Sequence, residues 1–156
     1  MQTLRDEVVK LLKGGGAHAT FEQAVKELPE ELRARKPEGA PHTAWELLEH
    51  LRIAQWDMLE FCRDPKHQSP KWPGGYWPAS PAPPDASAWD HSVAAFRKDA
   101  ASMSDLVSDP ASDLMKPLAW GEGQTLLREA LQVADHNAYH IGELVFLRRL
   151  LGAWAA

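Results

Sequence analysis

The chain has a single cysteine, Cys62, so no disulfide can close within it. That scarcity agrees with a reducing compartment. Cys62 follows Phe61 near the end of an apolar helical pattern, where a thiol ordinarily fills space rather than attacking a substrate. Long hydrophobic runs are lacking as well. The longest candidate, around Leu144 to Trp154, is interrupted by Arg148 and Arg149 and is too short to span a bilayer. The opening MQTLRDEVVK carries charges of both signs and no apolar core before a small-residue cleavage site, so the expected location is the cytoplasm. Lysine and arginine form no stripe, which argues against a nucleic-acid surface, and the net charge of −5 speaks mainly for solubility. No segment alternates apolar and polar residues over a sustained stretch, so no sheet is expected.

What is present describes an ordinary globular protein: 156 residues, 44% hydrophobic and 25% charged, enough for one domain over residues 1–156 with a real core. Helical punctuation is plain in four places. A first segment takes Thr3 as its N-cap and carries Leu4, Val8, Leu11 and Leu12 at helical spacing, until Gly14, Gly15 and Gly16 break it. Apolar spacing resumes from Ala17 through Phe21 and Val25 to Leu28, and Pro29 ends it. A second helix opens on the capping box Thr43-Ala44-Trp45-Glu46 and runs past Leu51 and Trp56 to Phe61, stopping before Pro65.

Residues 64–86 are a different material, with seven prolines, adjacent Gly74 and Gly75, and the large aromatics Trp72, Tyr76 and Trp77. A connection of this length is either functional or packed as an ordered crossover. The three aromatics favour packing; a lid over a neighbouring site is the alternative. A third helix is expected from near Ser87 to about Val107, and a fourth from near Thr125 to about Leu151-Gly152. Four long helices and one long Pro/Trp-rich crossover describe an all-α four-helix bundle.

Chemistry concentrates on three histidines. His136 and His140 stand four residues apart, which puts both imidazoles on one helical face about one turn apart. His50, flanked by Leu47, Leu51 and Ala54 on the second helix, is the best third partner. Three neutral imidazoles leave open coordination positions and suit zinc, nickel, copper or iron(II). Two familiar patterns fail. Asn137 follows His136, so this is no H-E-x-x-H metalloprotease, and Leu47, Val133 and Asn137 stand where a di-iron bundle requires glutamate. Spacing alone leaves the plainer reading open, in which the histidines are hydrogen-bonded core residues. His18, His42, His67 and His91 are expected at the surface, with His18 near enough to the glycines to approach the site.

The fourth-helix sequence ADHNAYHIGELVFLRRLLG (residues 134–152) and PHTAWELLEHLRIAQWDMLEF (residues 41–61) resemble the two signature helices of the DinB-like superfamily. The resemblance implies an up-up-down-down four-helix bundle that holds a divalent ion on His50, His136 and His140, with nickel or zinc ahead of iron, manganese or copper. It further implies a homodimer and an activity of the thiol-dependent transferase or hydrolase type. The substrate would be a small molecule, with a low-molecular-weight thiol as co-substrate; neither nucleic acid nor membrane is expected as a partner. Glu46, Asp135, Asn137, Tyr139 and Glu143 are candidate helpers, with Glu46 already employed in the capping box. The competing class is a non-enzymatic metal-binding or stress-response module whose ion ties helices together.

Overall fold

A computed structural model describes residues 1–154. Among these residues there are six α-helices: α1 Gln2–Lys13, α2 Phe21–Val25, α3 Glu30–Arg33, α4 Ala44–Arg63, α5 Ala88–Ser108 and α6 Leu126–Leu150. A 3-10 turn, Gly74–Tyr76, lies between α4 and α5. Among the described residues there is no strand, only an isolated bridge between Pro117 and Thr125.

Local chemistry accounts for most boundaries. α1 is capped at Met1 rather than at the expected Thr3, which lies inside the helix, and it ends where Gly14 and Gly15 adopt φ of 68° and 83°, a region side-chain-bearing residues rarely enter. The apolar stretch expected to run on to Leu28 is helical only from Phe21 to Val25, opened by a Thr20–Gln23 capping box. Glu27 then takes a positive φ of 52°, and α3 follows as a separate short turn. Leu28 is still buried, so its hydrophobicity reports burial rather than helix. At the start of α4 the Glu46 amide donates to Thr43 Oγ1, and the Glu46 carboxylate accepts from the Thr43 amide at 2.7 Å. Thr43 Oγ1 also donates to the carbonyl of Pro81 at 2.8 Å, pinning the long connection to the head of the helix.

Cross-helix contacts give the chain directions. Glu49 meets Ser92 and Gln55 meets Phe96, so α4 and α5 run parallel. His50 meets His140 and Gln55 meets Asn137, so α4 and α6 are antiparallel. Arg5 donates to the carbonyl of Val107, while Leu11 to Gly14 line one small cavity with Phe96 and Ala100, so α1 runs against α5. In chain order the long helices therefore run up, down, down and up, not up-up-down-down. The reason is residues 64–87: a connection this long returns from the foot of α4 to its head, about 30 Å away, so that α5 starts beside the start of α4.

The apolar interior falls into two clusters. One contains Trp45, Leu48, Leu51, Trp89, Phe96 and Leu144; the other contains Val8, Leu59, Met103, Val107, Leu126 and Val133. Between them Gln55, fully buried, donates to the carbonyl of Phe96 and accepts from the Asn137 carboxamide, both at 2.8 Å. On α6 this polar pair adjoins the histidines, since Asn137 directly follows His136.

Arg148, one of the two charges that interrupt the C-terminal apolar run, is buried. Its guanidinium donates to the carbonyls of Ala24, Lys26 and Ala153 at 2.7 to 2.9 Å, tying α2 and the C-terminal residues to α6. Arg148→Met would keep the aliphatic stem but strand those acceptors. A loss of about 1–3 kcal/mol in urea unfolding is expected, against little change for exposed Arg149→Met.

Candidate metal centre

His50 projects from the middle of α4, and His136 and His140 project from successive turns of α6. Because α4 and α6 are antiparallel neighbours, the three imidazoles meet. His50 Nε2 lies 3.1 Å from His140 Nε2 and 3.1 Å from His136 Nε2. One ligand atom from each of the three lies within 4.8 Å of the others. With metal–nitrogen bonds of about 2.0–2.1 Å, tetrahedral ligand nitrogens sit about 3.3 Å apart, so the spacing fits a single ion.

The partners of the far ring nitrogens decide what faces the centre. His50 Nδ1 donates to the carbonyl of Tyr76 at 2.8 Å, and His140 Nδ1 donates to Glu143 Oε2 at 2.6 Å. A neutral imidazole that donates from Nδ1 presents a bare lone pair at Nε2. The contact between His50 and His140 therefore sets two lone pairs against each other, an arrangement that a cation relieves. His136 Nδ1 is buried without a hydrogen-bond partner, as is Asn137 Oδ1.

Electrostatics keeps the set neutral. Burial, followed by the neighbouring histidines, lowers the pKa of His136 and of His140 to about 4. His50 is lowered in the same direction, again chiefly by burial. Three uncharged imidazoles with converging Nε2 atoms form a set that can hold a divalent ion, which the observed donor chemistry fits.

The aromatic connection packs against this set. Trp77 lies flat on His50, ring centroids 4.0 Å apart and planes 2° from parallel, and also stacks on His42 at 4.0 Å. Trp72, by contrast, is 72% exposed. Of the histidines expected at the surface, His18 and His91 are exposed, and His18 does not join the cluster. His67 departs from expectation: its side chain is 8% exposed and sits 2.7 Å from Asp57 Oδ1. Spacing in sequence could not show this, because His67 lies in irregular chain folded back onto α4. Among the candidate helpers, Glu46 serves the cap, Asp135 is exposed, and Tyr139 is exposed with its ring edge-on to His140. Asn137 belongs to the buried amide pair, and Glu143 touches a histidine directly. Cys62 is buried, with its thiol pushed up to about 12 by that burial, as suits a space-filling residue.

A linkage follows for the metal-free protein. His136 and His140 take up protons at about 4 when folded but near 6.5 when unfolded, so the unfolded chain binds more protons between these values. Stability should fall as pH is lowered from about 6.5 towards 4 and level off below. Unfolding midpoints across that window, measured with chelator present, should show a shallower slope for His136→Gln than for wild type.

A family model for the DinB superfamily matches residues 16–144. No curated protein and no solved structure matches the chain significantly. The matched region contains α4 with His50 and α6 through both of its histidines, and the chain belongs to the DinB superfamily.

Proposed function

We propose that this protein binds one divalent metal ion through His50 Nε2, His136 Nε2 and His140 Nε2, and that it is a metal-dependent enzyme of the thiol-transferase or hydrolase type. The observation that carries the reading is the convergence of three neutral imidazoles, two of them held with their lone pairs inward by Tyr76 and Glu143. A bound divalent ion would supply Lewis acidity, lowering the pKa of a thiol or water near neutral pH. The chain's own share is to orient and to shield. Tyr76 and Glu143 fix two tautomers, and Trp77 holds the plane of His50. Three protein ligands leave room for an exogenous one, the arrangement a catalytic site requires. Nickel and zinc are the favoured ions.

Beside the centre, a trough of about 360 Å³ is lined by Leu47, Leu147, Phe146 and Leu150 together with His42 and Glu143. It offers an apolar part of a small-molecule substrate a place within reach of the residues that support the ligands. The four long helices then act as a four-helix bundle, with residues 64–87 as the crossover that closes one side of the centre. The non-enzymatic alternative draws on one observation: Glu143, the carboxylate that touches the cluster, is already committed to His140 Nδ1.

Metal analysis by mass spectrometry on untagged protein decides the first part. Wild type should carry close to one equivalent, and His50→Ala and His136→Ala should each carry almost none. Wild type that stays metal-free after incubation with zinc or nickel would overturn the reading. Displaceable solvent on the loaded protein, followed by turnover of a low-molecular-weight thiol with an electrophile, would favour the enzyme. An ion closed to exogenous ligands would favour the structural module.

A further inference from the structure

Asp57 is an acid with no place in the metal centre, yet it is almost wholly buried at 7% exposed. It stands seven residues after His50 on α4, about two turns along the same face. Burying a carboxylate costs free energy unless its oxygens are hydrogen-bonded, and an apolar residue could fill the same space without that cost. Both oxygens are in fact engaged, and both by residues 64–87. Oδ1 lies 2.7 Å from His67 Nε2, and Oδ2 accepts from the Tyr76 hydroxyl at 2.6 Å.

Tyr76 is the residue that connects this acid to the histidines. It ends the 3-10 turn Gly74–Tyr76, and its main-chain carbonyl accepts the His50 Nδ1 proton at 2.8 Å. One residue thus faces α4 twice, its side chain gripping Asp57 and its backbone gripping His50. The next residue, Trp77, lies against the His50 ring. This carbonyl ends a single 3-10 turn and belongs to no longer helix or sheet, so its position depends on whatever anchors that turn. Two hydrogen bonds therefore tie Tyr76 to α4, its hydroxyl on Asp57 and its carbonyl on His50, and His67 holds Asp57 through the other carboxylate oxygen.

We propose that Asp57 is a positioning residue for the metal centre: by holding the Tyr76 hydroxyl, it fixes the carbonyl that keeps the proton on His50 Nδ1 and so leaves His50 Nε2 free as a ligand. The metal-affinity consequence rests on the metal-binding reading above; the tautomer consequence does not.

Two removals and one conservative replacement test it. Tyr76→Phe deletes the hydroxyl and keeps both the ring and the carbonyl. Asp57→Ala deletes both acceptors. Asp57→Asn keeps the shape, accepts from His67 with its oxygen and donates to the Tyr76 oxygen with its nitrogen. Nitrogen-15 correlation spectra of the metal-free proteins should show the His50 ring protonated at Nδ1 in wild type and in Asp57→Asn. In Tyr76→Phe and Asp57→Ala the ring should be a mixture of tautomers. Zinc titration should give affinities about tenfold or more weaker in the two removal variants, with Asp57→Asn close to wild type. Should Asp57→Ala fail to fold, Tyr76→Phe decides alone. A His50 tautomer and a zinc affinity unchanged in Tyr76→Phe would overturn the proposal. If wild type takes up no zinc, the metal-binding reading falls, while the tautomer comparison still decides this one.

Discussion

Three imidazole nitrogens facing one another inside an apolar interior are the constraint around which the rest of the structure is arranged. Two of the lone pairs are aimed inward by fixed acceptors on the far side of their rings, and burial opposes the protonation that would otherwise relieve the crowding. In a low-dielectric setting such an arrangement is costly unless a cation occupies the focus. The same burial keeps the imidazoles neutral, the form in which they can coordinate. The chemistry and the packing therefore pull in one direction.

The fold supplies that setting by placing a polar layer between two apolar clusters. The Asn137 nitrogen donates to Gln55 across α6 and α4, and Gln55 donates on to α5, so most of the buried amide groups beside the histidines are paired. The exceptions lie beside the centre itself, at His136 Nδ1 and Asn137 Oδ1. A polar layer of this kind fixes the register of α4 against α6, since sliding one helix by a turn would separate both the amides and the imidazoles. Leucine packing alone would be more tolerant of such a slip.

The Pro-rich connection is part of the centre rather than a spacer. Its length lets α5 run parallel to α4, its proline-limited backbone confines regular structure to one 3-10 turn, and its Trp77 lies against His50. Pro81 is tied to the head of α4 through Thr43, and Tyr76 and His67 are tied to its middle through Asp57. A segment anchored at both levels presents a main-chain carbonyl to His50 with the precision usually supplied by a helix or a strand.

Much of this was legible in the residues alone. The capping box at Thr43, the helix starts near Ser87 and Thr125, and the pairing of His136 with His140 follow from rules that act within one or two turns, so a linear reading reaches them. The choice of His50 came from its apolar flanks, which encode its phase around the helix axis. What no local rule contains is which helix that face meets, and in which direction. The parallel α4–α5 pair, the burial of His67, the grip of Tyr76 and Glu143 on the far ring nitrogens, and the role of Asp57 all depend on contacts between residues far apart in the chain. Leu28 marks the same boundary from the other side: its hydrophobicity determined that it would be buried, while the positive φ at Glu27 decided that it would not be helical. Periodicity states which face of a helix avoids water; only packing decides what that face finds there.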